Sequence, residues 1–130
     1  MSSKYELVKN YLINLGYHIS KEIPEEEIVI VDDSEKGISN LIIDCEDPLL
    51  IFEQYIGKLN KDEKDVYKKL LQVNRKLVHG AFVLEEDNNT LLFRDTLQLE
   101  NLDENEVEGT MSSIHFAMAE HTDFLIEICK

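Results

Sequence analysis

Apolar residues recur along this chain with two periods, and each period marks a type of element. Over residues 3–15, Tyr5, Val8, Leu12 and Leu15 fall at intervals of 3, 4 and 3, the spacing of one helical face. Ser3 and Glu6 stand ahead of it in S-x-x-E register, a capping box in which each side chain takes an orphan N–H of the first turn. Gly16 follows where a left-handed residue ends a helix with little strain. Short runs separated by turn residues come next. Residues 17–22 are a weak strand candidate, Pro24-Glu25-Glu26-Glu27 interrupts, and Ile28-Val29-Ile30-Val31 is a β-branched run that reads as a strand. Residues 32–37 form a loop. Residues 38–44 and 49–55 make two more strands, joined by Cys45-Glu46-Asp47-Pro48. Turn chemistry at such short spacing predicts an antiparallel meander.

The helical period returns over residues 61–77. Val66, Leu70, Val73 and Leu77 form one stripe, Tyr67 and Leu71 widen it, and Asn60 with Glu63 makes a second cap-like pair. A hairpin follows, residues 79–85 and 90–99, around Asp87-Asn88-Asn89, residues that tolerate left-handed turn conformations. In its second strand Leu91, Phe93, Leu97 and Leu99 share one face, which Asp95 interrupts as a kink or a hydrogen-bonded carboxylate. Asp103 and Glu106 open a third helix through a capping box. Its core seam is Val107, Met111, Ile114, Met118, His121, Leu125 and Ile128, sustained at alternating intervals of 4 and 3 and long enough to cover a sheet. The expected fold is α+β in the order α-β-β-β-α-β-β-α, an antiparallel sheet of about five strands with helices packed on it.

Length and charge bound the function. The chain has 130 residues and 43% apolar residues, enough for one domain, 1–130, with one core. Thirteen basic against 27 acidic residues give −14 at pH 7. Phosphate neutralisation dominates nucleic-acid affinity and anionic lipid attracts basic patches, so nucleic acid and membrane surfaces are excluded as partners. Positive charge is concentrated in one place. Lys61, Lys64, Lys68, Lys69, Arg75 and Lys76 face only Asp62, Glu63 and Asp65, leaving +3 within residues 61–77 and −17 outside them. The chain has no stretch of 18 apolar residues and no signal-like start, and its two cysteines, Cys45 and Cys129, suit reduced thiols, so a cytoplasmic location is expected.

Residues that could carry chemistry do not assemble into a motif. The loop at Asp32 fits an EF-hand at Asp32, Ser34 and Gly37, yet Lys36 and Ile43 occupy ligand positions, so it reads as a turn. His18, His79, His115 and His121 show no metal-ligand spacing, no cysteine lies in C-x-x-C, and no metal or cofactor is expected. None of the seven serines sits in G-x-S-x-G, and no phosphate loop occurs. No nucleophile, base or oxyanion constellation is in view, so catalytic residues are expected to be absent. His121, on the apolar seam, reads as a partly buried histidine satisfied by one hydrogen bond.

One layout is distinctive. Leu70-Leu71-Gln72-Val73-Asn74-Arg75, Gly80-Ala81-Phe82-Val83-Leu84-Glu85, the strand at residues 91–99 and Leu102-Asp103 spell "LL-x-x-N", a "G-x-F-x-L" strand, a turn, a strand and "L-D-x-x-E-V". This resembles the YbjN-like branch of the type III secretion chaperone-like (Tir chaperone-like) fold, most closely over residues 66–125. The resemblance implies helices on an antiparallel sheet and a small, acidic, cytoplasmic, non-enzymatic and commonly homodimeric protein. The secretion chaperones of that fold bind an extended segment of a client.

The expected function is a non-catalytic protein-binding module, chaperone-like or regulatory, that binds a polypeptide partner. The alternative is a small-molecule or ion sensor with a pocket between sheet and helices, around His121 and Asp95. A homodimer is expected through Val66, Tyr67, Leu70, Leu71, Val73, Asn74 and Val78, because the helix at 61–77 carries more apolar width than one sheet face covers.

Overall fold

The computed structural model describes residues 3–87 and 89–129. The elements run α1 (Ser3–Asn14), β1 (Ile19–Ile23), β2 (Ile28–Asp33), β3 (Ile38–Glu46), β4 (Leu49–Lys58), α2 (Lys64–Lys76), β5 (Ala81–Leu84), β6 (Thr90–Gln98) and α3 (Glu104–Ile128). Six antiparallel strands form one sheet in the order β1-β2-β3-β4-β6-β5. The α+β reading holds with one strand more than expected. The weak candidate at residues 17–22 is β1, a short edge strand bulged against β2 between Ile19 and Lys21. The cap expected at Ser3 rests on a side chain outside the described residues, as does the turn residue Asn88.

Strand alternation divides the sheet into two unlike faces. On one, Val29, Ile43 and Phe52 lie side by side across β2, β3 and β4, and Gln54, Phe93 and Phe82 across β4, β6 and β5. All are buried. Gln54 is satisfied there: its Nε2 donates to the Gly37 carbonyl (2.9 Å) and its Oε1 accepts from the Ser39 N–H (3.1 Å). The helices cover this face. Tyr5, Val8 and Leu12 of α1 and Val107, Met111 and Ile114 of α3 join the same core. Tyr11 Oη donates to the Leu102 carbonyl at 3.2 Å, tying α1 to the start of α3.

Caps explain where the helices begin. At α3 the capping box forms as expected, Glu106 N–H donating to Asp103 Oδ1 (2.8 Å) and Asp103 N–H to Glu106 Oε1 (3.1 Å). At α2 it does not. The helix starts at Lys64, and Glu63 makes no side-chain cap bond. Asn60 instead clamps the far end of α3, its N–H donating to the Ile128 carbonyl (2.8 Å) and its Nδ2 to the Glu127 carbonyl (3.0 Å). Those carbonyls are orphans of the last helical turn. The long seam of α3 also breaks. His121 has non-helical dihedrals (φ −116°, ψ 16°), so the helix kinks there. Next to it the Thr122 hydroxyl donates back to the Met118 carbonyl, a local bond that bends helices. Met118 and His121 are half-buried, while Val107, Met111, Ile114 and Leu125 are buried.

The hairpin motif acquires a physical reading. Asn74 on α2 faces the outer edge of β5: its Nδ2 donates to the Phe82 carbonyl (3.1 Å) and its Oδ1 accepts from the Phe82 N–H (2.8 Å). One amide side chain thus stands in for a neighbouring strand. Gly80 has φ +75°, and a Cβ there would lie 2.5 Å from the Phe93 ring. Phe93 in turn meets Phe82 edge-on with centroids 5.4 Å apart. The Asp32 loop is likewise a turn. Asp32 accepts from Ser20 Oγ (2.6 Å) and the Asn40 N–H (2.8 Å), which hold its carboxyl below the usual range.

Two substitutions test this packing. Ile114→Asp places an uncompensated charge in the core and should cost about 3–5 kcal/mol in urea unfolding; an unchanged midpoint would refute the burial of α3. Asn74→Leu leaves a peptide N–H and C=O at the β5 edge without their partner. It should cost about 1–3 kcal/mol, and hydrogen exchange at Phe82 should speed up; unaltered protection at Phe82 would refute the edge cap.

Candidate functional site

The α2 sequence carries two apolar seams, and the fold treats them differently. Val66, Leu70 and Val73 point into the chain's own core and are buried. Of the residues expected at a dimer contact, these three are therefore engaged within the chain, and Asn74 is engaged with Phe82. The outward residues are Tyr67, half-buried with its hydroxyl donating to Asp62 Oδ1 at 2.6 Å, and Leu71 and Val78, which are 71% and 85% exposed. Tyr67 and Leu71 lie one turn apart on the outer side of α2, and Val78 stands two residues beyond the end of the helix, after an extended Leu77.

Two grooves flank this outward seam. One, of about 240 Å³, runs between α2 and β5 and is lined by Tyr67, Leu71, Val83 and Leu84. The other, also about 240 Å³, lies between the end of α2 and the middle of α3, lined by Leu77, Val78, His79, Phe116 and Glu120. Phe116 is 67% exposed. The sequence reading missed it because it stands off the α3 seam; an aromatic on the otherwise polar side of a long helix was the available signal. Lys69 lies over the Phe124 ring at 4.5 Å, so one α2 cation packs on α3. Among the described residues, no α2 lysine or arginine is ion-paired within the chain.

Several residues that could have served a ligand or a reaction are engaged by the fold. Asp95 accepts from the buried Thr110 hydroxyl at 2.8 Å, the hydrogen-bonded carboxylate the sequence allowed for. His115 Nδ1 meets the Lys36 carbonyl at 2.9 Å. Among the described residues the His121 ring makes no hydrogen bond; at the kink it stands edge-on to Phe82, centroids 6.3 Å apart. Burial pushes the Cys45 thiol up to about 12, so it stays protonated at neutral pH. Among the described residues, no group of three or more His, Cys, Asp or Glu could hold a metal ion, and no helix is long and apolar enough to cross a membrane.

Comparison with known proteins gives the same architecture. No curated protein matches the chain. Among solved structures, YbjN from E. coli superposes with a TM-score of 0.72 at 12% identity, over 97% of this chain and 94% of that one. A chain of the heterodimeric ExoU–SpcU complex from the type III secretion system of Pseudomonas aeruginosa gives 0.65 at 15% identity, over 95% and 98%. The Yersinia pestis type III secretion chaperone SycH, in complex with a stable fragment of YscM2, gives 0.56 at 12%, over 97% and 99%. At these identities the likeness is one of fold. The family model CesT_Tir_1, a type III chaperone family, matches residues 1–130, and the chain belongs to that family.

Proposed function

We propose that this chain is a non-catalytic, cytoplasmic protein-binding module, chaperone-like or regulatory, that works as a homodimer and binds a polypeptide partner. The observation that carries the reading is the outward seam of α2. Leu71 on α2 and Val78 just beyond it are large apolar residues left exposed beside two shallow grooves, at the one segment whose net charge is positive. A second copy meeting α2 covers these side chains and brings its acidic surface towards cations that have no ion-pair partner among the described residues of their own chain. Like charge over the rest of two −14 chains opposes association, which favours a contact through this segment. Family membership supports the polypeptide partner, as do the protein complexes in which SpcU and SycH occur.

Light scattering at two ionic strengths tests the dimer. The expected mass is twice the 15.1 kDa of one chain, and Leu71→Glu should return it to one chain with the circular dichroism spectrum unchanged. A single-chain mass across micromolar concentrations rejects the dimer. Native mass spectrometry of protein purified from its own host tests the partner. A co-purifying polypeptide is expected, whereas a retained small ligand without any polypeptide would favour the sensor reading.

A further inference from the structure

All three helices lie over one face of the sheet, and the opposite face, which no helix covers, is lined by apolar side chains that are mostly half-buried or exposed. Strand register arranges them in rows. Ile28, Asp44 and Ile51 lie side by side, then Ile30, Ile42, Glu53 and Arg94, then Tyr55, Leu92 and Val83. Leu92 is buried, but Ile42 is 40% and Tyr55 53% exposed. Within this apolar field, Asp44 Oδ1 is removed from solvent and has no hydrogen-bond partner among the described residues. Burial raises the pKa of its carboxyl, and Glu46, Glu26, Glu53 and Glu27 push it the same way. The cations on this face are Arg94, paired with Glu53 at 2.8 Å, Lys58, paired with Asp87 at 3.1 Å, and Lys21 on the β1 edge. None of them meets Asp44.

We infer that the helix-free face of the sheet docks a cationic amphipathic helix of a partner protein, one of whose basic side chains bonds Asp44; this rests on the protein-binding reading above. An extended strand adds to a sheet edge, not to its face. A second copy would bring the acidic Asp44 and Glu46 towards an equally acidic surface, a like-charge contact that costs association. A helix with a basic flank matches both the apolar rows and the unmatched acid. Its size fits as well: β2 to β6 spans three strand spacings, about 14 Å, and about ten helical residues rise about 15 Å.

The test titrates the full chain, at near-physiological salt, with a fluorescent synthetic amphipathic helix of leucine and lysine. The same helix with glutamate for lysine is the control. The lysine helix should bind and the glutamate helix should not. Asp44→Asn should weaken binding about tenfold, the loss of one charge-assisted hydrogen bond, and the double variant Ile42→Ala/Tyr55→Ala at least as much. Leu71→Glu, on the other side of the molecule, should bind as wild type. The Asp44→Asn chain should also melt higher than wild type at pH 7. A carboxyl whose pKa is raised by folding penalises the folded state above that pKa, so the gap should close as pH falls through it. Absence of binding, or equal binding by every variant, would overturn the site. So would loss of binding in Leu71→Glu alone, which would move the contact to α2 and leave the protein-binding reading standing. If Ile42→Ala/Tyr55→Ala, and not Leu71→Glu, converts a dimer to single chains, the occupant is a second copy and the proposal fails.

Discussion

A sheet has two faces, and this chain has helices for only one of them. That constraint organises the molecule. It fixes the register of every strand, because a slip by one residue exchanges the two sets of side chains. On β3, Leu41, Ile43 and Cys45 face the helices and are buried, while Ile42 between them is exposed. It also determines how α3 must run. A 25-residue helix laid over a twisted sheet keeps contact along its length only if it bends, and beyond the break at His121, beside Phe82, it meets α2 at Lys69 and the end of β4 at Leu59 and Asn60.

The second constraint is the sheet's edges, where unpaired backbone groups invite another strand. At β5 the answer is Asn74, which occupies the N–H and C=O of Phe82 with one amide. At β1 it is polarity and a bulge: Ser20, Lys21 and Glu22 are exposed, and the ladder shifts between Ile19 and Lys21. Neither edge offers a long apolar strand. The two surfaces proposed above for contact with other proteins, the outer side of α2 and the open sheet face, are accordingly side-chain surfaces and not strand edges.

The features legible in the sequence are those set by local pattern. The three helices, the hairpin and the Asp103–Glu106 capping box follow from spacing and cap chemistry within a few residues, and the family layout follows from the same motifs. What was not legible depends on where the chain goes next. Asn60 has the sequence position of a cap, but the end of α3 arrives beside it and offers carbonyls with no helical partner. Asn74 stands beside the apolar stripe of α2 and reads as contact surface until β5 is placed against it. Residues 17–22 are too polar to signal a strand alone; their partner β2 makes them one. Phe116 is exposed because the α3 face that carries it looks away from the sheet. Sequence gives its period but not what lies opposite.

The two surfaces lie on opposite sides of the same sheet, and that separation has a consequence for assembly. A two-fold dimer built on the helix side would leave both open sheet faces free, one on each copy, related by the same axis. A partner with two basic amphipathic segments could then engage both faces, and the second contact would form at the effective concentration set by the linker between the segments rather than by the bulk. Each face is small, so a single helix gains only modest affinity from a few exposed isoleucines and one acid. Dimerisation would thus raise affinity for a long, repeatedly basic polypeptide without any new contact, and would do little for a partner carrying one such segment. The −14 charge acts in the same direction, drawing in cationic chains at a distance while keeping the acidic faces of separate molecules apart.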